Sequence, residues 1–227
     1  MKNIMTALKS LFMKYKHGLI LLYIFLYLPW FNYLEGRTHI RFNVIHMAID
    51  DYIPFCEYFI IPYFLWFGYV TFFVLYFFIK NKRDFYRLCA FLFTGMTVFL
   101  LISTFYPNIQ YLRPETFARN NVFVSMVQWL YKSDTPTDLF PSIHVYNSLG
   151  VHLAVINSEE FKTNKKVRTF SFLLMASIIL STMFLKQHSV FDVITAFVLA
   201  GVMHSLLYVR NLQKQNVYQK QQVRNIS

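Results

Sequence analysis

His188 and Asp192 stand four residues apart at the start of a long apolar stretch. On a helix, an i, i+4 pair projects both side chains along one face. The carboxylate can then accept the imidazole Nδ1 proton, which fixes the tautomer and leaves Nε2 as a base or nucleophile. Asp192 is also the sole acidic residue after Glu160, in a stretch holding nine Lys and Arg. An acid entering a membrane helix is expensive and is by default a functional candidate. A His and an Asp joined at a helix end for stability alone would show the same spacing, so the pair by itself leaves both readings open.

Two further groups suit an anion. Pro141-Ser142-Ile143-His144 follows a long polar connection; Pro and Ser are ordinary helix-start residues, and His144 adds an acid or base beside them. Backbone N–H groups and the positive end of the helix dipole would face an anion there. Arg113-Pro114 supplies a planar fork of donors that matches phosphate, although a loop Arg is commonly just solvated. Lys186, two residues before His188, is bland alone because a Lys at a helix end commonly snorkels. Together, two imidazoles, two cations, a carboxylate and helix-end amides are what phosphoryl transfer through a phospho-histidine requires. Of the remaining histidines, His152 reads as a hydrogen-bonded bundle residue, His204 belongs near the inner face, and His17, His39 and His46 read as interfacial.

The elements that must position these groups are membrane helices. Of 227 residues, 56% are hydrophobic, 20% aromatic and only 15% charged, against about 25% charged for an average soluble domain. Residues 58–79 and 88–106 carry no charge, and each meets the roughly 20 residues needed to cross a hydrocarbon core. Six spans are expected, at about 18–34, 58–79, 88–106, 142–158, 167–185 and 189–209, making an all-α polytopic bundle that forms a single membrane domain over 1–227. The first follows Lys2, Lys9, Lys14 and Lys16 and lacks a small-residue cleavage site, so it reads as a retained span. The fourth carries Asn147, Ser148, His152 and Asn157 and should face protein or water.

Charge sets the expected orientation. The net charge of +11 could suggest nucleic acid, but its distribution across alternate connections marks topology instead. Sixteen of the 22 Lys and Arg fall on one side; Arg37, Arg41, Arg113, Arg119, Lys132 and Lys186 fall on the other. Basic tails at 1–17 and 210–227 are therefore expected in the cytoplasm of a cell-membrane protein, with the chemistry facing outside. Residues 37–55 are expected to form a helix along the outer surface, and residues 107–141 a long outer loop. Cys56 and Cys89 have neither a disulfide pattern nor metal-ligand spacing.

These residues resemble the type 2 phosphatidic acid phosphatase superfamily, whose pattern has three blocks: K-x6-R-P, P-S-x-H and S-R-x5-H-x3-D. The chain presents Arg113-Pro114, then Pro141-Ser142-Ile143-His144, then Ser181-Thr182 followed by His188 and Asp192. The likeness covers about residues 55–209. Tyr106 occupies the place of the first-block Lys, and Thr182 that of the third-block Arg. The run Lys186-Gln187-His188, together with Ile49-Asp50-Asp51-Tyr52-Ile53-Pro54-Phe55 and Pro62-Tyr63-Phe64-Leu65-Trp66, is similar to a bacterial branch related to inositol phosphorylceramide synthases.

The resemblance implies a membrane lipid phosphatase acting on a lipid phosphate or diphosphate at the outer leaflet. His188 would attack phosphorus, Asp192 would orient it, and His144 would protonate the leaving oxygen and then activate water. Arg113, Ser142 and Lys186 would bind phosphate, with Lys186 or Arg119 replacing the missing cations. Neither metal nor cofactor is implied, and membrane lipids are the expected partners. Transfer of a phospho-headgroup to another lipid alcohol stays open, as does a non-catalytic lipid-binding or transport role. The lipid's identity and the oligomeric state are not legible.

Overall fold

A computed structural model describes residues 9–10, 12–37 and 39–209. The segments 1–8 and 210–227, which include Lys2 and the cations Arg210, Lys214, Lys220 and Arg224, lie outside the described residues. The described chain is helical almost throughout: α1 (Phe12–Glu35), α2 (Ile60–Lys80), α3 (Lys82–Phe105), α4 (Val122–Ser133), α5 (Ile143–Asn157), α6 (Lys165–Phe184) and α7 (Val190–His204). Its strands are two residues each, β1 (Asn43–Val44) paired in parallel with β2 (Asn108–Ile109).

Five helices, α1, α2, α3, α6 and α7 with its final turn, are long and apolar enough to cross a membrane. The expected sixth span is a correction. At 142–158 the chain forms α5, of 15 residues, which rises only about 22 Å against a core of about 30 Å. Ser142 caps one end by accepting from the Val145 N–H, and Ser158 leaves the helix in an extended conformation at the other. As its polar residues required, α5 sits inside the bundle, packed against α2, α3, α6 and α7.

Close approach of α3 and α5 depends on two glycines. Tyr146 stacks on Phe91 at 4.6 Å between ring centroids and donates its hydroxyl to the Phe91 carbonyl at 2.9 Å. A Cβ at Gly95 would lie 1.9 Å from Tyr146 Cε1, and one at Gly150 would lie 2.5 Å from Phe91 Cδ1. Neither position has room for a side chain.

Two expectations for the connections are also corrected. Residues 37–55 do not form a surface helix: β1 pairs with β2, and Ala48–Tyr52 makes a single 3-10 turn. The segment is pinned by polar contacts instead, including Arg37 to Asp138 at 2.9 Å and the buried Asp50. The connection 107–141 is not structureless, because it contains α4. Asn121 caps α4 through Val124 N–H, and Val124, Val127 and Leu130 form its buried face at the three-residue spacing of an amphipathic helix.

Candidate active site

Three elements bring the site together: the start of α5, the α6–α7 loop and the first turn of α7. Ser142, fully buried, precedes α5, and its backbone N–H donates to the Asp192 carbonyl at 3.4 Å. This contact ties the entrance of α5 to α7. The imidazoles of His144 and His188 consequently lie 5.9 Å apart between centroids.

Each ring is fixed separately. Tyr63 and Trp66, three residues apart on α2, approach the His144 ring at 4.6 Å and 4.4 Å between centroids. His188 Nδ1 lies 3.3 Å from Asp192 Oδ2, the i, i+4 relationship expected from sequence, and this leaves Nε2 without that engagement. The same carboxylate oxygen accepts the Ser189 N–H at 3.0 Å. Asp192 thus completes a capping box with Ser189, so it anchors the helix start and orients the imidazole at once. One carboxylate therefore serves both the helix cap and the contact with the imidazole.

The expected cations are each engaged by protein acceptors. Arg113 directs Nη1 to the carbonyls of Tyr131 and Asp134 at 3.2 Å and 2.7 Å, and Nη2 to the carbonyl of Thr135 and to Gln187 Oε1. Its Nε is buried without a partner. Lys186 donates through Nζ to the Asp50 carbonyl at 2.7 Å. Arg119 pairs with Glu57 at 3.2 Å on an exposed side chain. Tyr106, in the place of the first-block cation, is about half exposed, whereas Thr182 is fully buried and its carbonyl accepts the N–H groups of Gln187 and His188.

Electrostatics outside the spans follow burial. Burial pulls the Arg113 guanidinium below its ordinary value, opposed mainly by Asp134. Burial likewise raises the Asp134 carboxyl against the pull of Arg113 and His188. The Lys186 ammonium is lowered by burial and partly restored by Asp50 and Asp51. The bias of each cation therefore depends on a neighbouring carboxylate.

His144 and His188 line a cavity of about 830 Å³. Ile24, Leu28 and Phe31 of α1 and Phe67 and Val70 of α2 give it an apolar wall, with Met96 and Phe99 of α3 contributing as well. Glu35, Asp134, Asp138 and Asn147 add polar lining. An apolar cavity with a few convergent polar groups is the usual form of a small-ligand site.

Other histidines are accounted for elsewhere. His152 Nδ1 meets Ser171 Oγ at 3.1 Å, and Tyr69 meets the same hydroxyl at 2.6 Å, so His152 is a hydrogen-bonded bundle residue. His17 is buried rather than interfacial, with Nε2 2.9 Å from the Phe78 carbonyl. Among the described residues, no group of three or more His, Cys, Asp or Glu gathers as a metal ion would need. Sequence reasoning did not assign Asp50, Gln110, Gln187, Tyr63 or Trp66 to the site. Asp50, Tyr63, Trp66 and Gln187 fall within Ile49-Asp50-Asp51, Pro62-Tyr63-Phe64-Leu65-Trp66 and Lys186-Gln187-His188, whereas Gln110 carries no sequence signal.

No curated protein and no solved structure matches the chain. Residues 108–216, which hold Arg113, Ser142, His144, Lys186, His188 and Asp192, match the family model of the PAP2 superfamily.

Proposed function

We propose that this membrane protein is a lipid phosphatase working through a phospho-histidine. The match over 108–216 points to phosphatase- or phosphotransferase-type chemistry in a helical membrane protein. The observation that carries the finer reading is the facing of His144 and His188 on the wall of one apolar cavity. Rings this close can both reach one phosphoester held at that wall, and the apolar wall suits a hydrocarbon chain.

In the proposed sequence, His188 Nε2 attacks phosphorus and forms a P–N bond as the P–O bond to the lipid breaks. The leaving oxygen takes its proton from His144, and the lipid alcohol departs. Asp192 stabilises the imidazolium at Nδ1. Water then attacks phosphorus, giving up a proton to His144, and the P–N bond breaks to release inorganic phosphate. Amide groups at the start of α5 would take the non-bridging oxygens, with Ser142 as the buried cap that directs them. Arg113 and Lys186 add positive potential; both Nη atoms of Arg113 are held by protein acceptors, whereas Lys186 Nζ keeps donors beyond its bond to Asp50.

The experiment is a panel of lipid phosphates and diphosphates presented to purified full-length protein, with and without chelator. Release of free phosphate supports the reading. Appearance of a lipid carrying a new phospho-headgroup, without free phosphate, would assign transfer to a second alcohol instead. Turnover that survives His188→Ala would remove the phospho-histidine.

A further inference from the structure

The loop that carries His188 is held from segments remote in sequence. Tyr131 donates its hydroxyl to the Leu185 carbonyl at 2.7 Å. Gln110 Nε2 donates to the carbonyls of Lys186 and Gln187. Lys186 itself has φ of 54°, a left-handed conformation that is uncommon without glycine and persists only where its surroundings dictate it.

The strongest of these tethers is Asp50, 1% exposed, on the 3-10 turn Ala48–Tyr52. Its Oδ2 accepts Ser189 Oγ at 2.6 Å and the Met47 N–H at 2.8 Å; its Oδ1 accepts the Val190 N–H at 2.8 Å. Its carbonyl receives Lys186 Nζ. Asp50 therefore grips the chain at Lys186 on one side of His188 and at Ser189 and Val190 on the other. Hydrogen bonds to an ionised acceptor are about twice as strong as neutral ones, and an orphan N–H at the start of α7 is satisfied in the same contact.

We propose that Asp50 is a positioning residue for His188. The proposal rests on the phospho-histidine reading of the site. Asp50 touches no reacting atom; it sets the loop so that Nε2 points along the line of attack while Nδ1 stays on Asp192. Asp50→Asn keeps the volume but puts an NH2 group where donors arrive, so the loop loses at least one of its bonds. Misplacement of a reacting group by about 1 Å can cost about 100-fold in rate.

The test is steady-state kinetics of full-length protein in phosphatidylcholine vesicles containing phosphatidic acid, with thermal unfolding followed in parallel. Asp50→Asn is expected to lower kcat about 100-fold with KM within about twofold of wild type, at an unfolding temperature that keeps the variant folded under assay. Ser189→Ala is expected to lower kcat about 10-fold, and the double variant is expected to lose less than the product of the two, because both act on the one loop that Asp50 holds. If Asp50→Asn does not fold, Ser189→Ala carries the test by the same kcat-against-KM split. Wild-type kcat in both variants, a rise confined to KM, or losses that multiply in the double variant would overturn the positioning role while leaving the reaction standing. Absence of phosphate release by wild type from phosphatidic acid and from every other lipid phosphate and diphosphate of the panel would overturn the reaction and this role with it.

Discussion

The backbone N–H of Ser142 donates to the carbonyl of Asp192 at 3.4 Å, joining the residue that caps α5 to the residue that caps α7. His144 lies two positions beyond the first and His188 four positions before the second. The separation of the two imidazoles is thus set by a backbone contact between two helix starts. Side-chain flexibility contributes little, since Tyr63 and Trp66 hold one ring and Asp192 the other.

The two histidines are expected to fail differently. His188→Ala removes the nucleophile and should cut turnover by about 10³-fold or more on every substrate. His144→Ala removes the proton donor and should cost about 10²- to 10⁴-fold on a lipid phosphate, whose alkoxide needs protonation. With p-nitrophenyl phosphate, whose leaving group needs no proton, the His144→Ala loss should shrink markedly. Parallel assays on both substrates check the assignment, and equal losses for the two variants on both substrates would reverse it.

Asp192→Asn separates capping from charge. An amide oxygen can still accept the Ser189 N–H that Asp192 Oδ2 now accepts at 3.0 Å, so unfolding should shift by no more than about 1 kcal/mol. The imidazolium at His188 loses its counter-charge, and kcat should fall by about 10²- to 10⁴-fold. Thermal unfolding and kinetics on the same preparation check this. A stability loss proportionate to the activity loss would show a purely structural carboxylate.

The geometry around His188 and Ser142 was legible because it is local in pattern. His188 precedes α7 and meets Asp192 across the capping box at Ser189, and Ser142 caps α5 as its position after Pro141 implied. The apolar runs marked three of the long helices closely, and the other two begin earlier than their apolar runs. What was not legible depends on distant pairing. Asp50 reaches Ser189 across 139 residues of separation, and Arg113 reaches Gln187 across 74; no local period encodes either contact. The same holds for α5, whose polar residues signalled burial but whose shortness follows from caps at both ends. The surface-helix expectation for 37–55 failed because the anchoring of Arg37 and Asp50 outweighed its mixed apolar pattern.

Lys186 gives a pH signature. Burial lowers its pKa from the usual 10.5, with Asp50 and Asp51 only partly opposing. Since the ammonium is lost as pH rises through the lowered value, its attraction for phosphate declines from a point below 10.5. Competitive inhibition by inorganic phosphate should weaken on that alkaline side. Lys186→Arg should push the decline to higher pH, because a guanidinium stays charged there. Inhibition constants measured between about pH 7 and 10 check this, and identical profiles for wild type and Lys186→Arg would show that Lys186 exerts no pull on phosphate.

Gly95 should be intolerant of even one methyl group, with consequences at His144. A Cβ there would sit 1.9 Å from Tyr146 Cε1, and Tyr146 is held on its other contacts by stacking on Phe91 and by its hydroxyl bond to the Phe91 carbonyl. The ring cannot yield without moving α5, which carries His144 two residues earlier. Gly95→Ala is expected to destabilise the protein by about 1–3 kcal/mol, the usual cost of overpacking, and to lower kcat more than KM rises. Replacing Tyr146 with Leu in the same chain opens the space and should recover part of both, despite loss of the hydroxyl bond. Thermal unfolding of the single and double variants in detergent, with kcat measured on each, checks the coupling; a Gly95→Ala variant as stable and active as wild type would mean that α3 and α5 can separate without disturbing the imidazole.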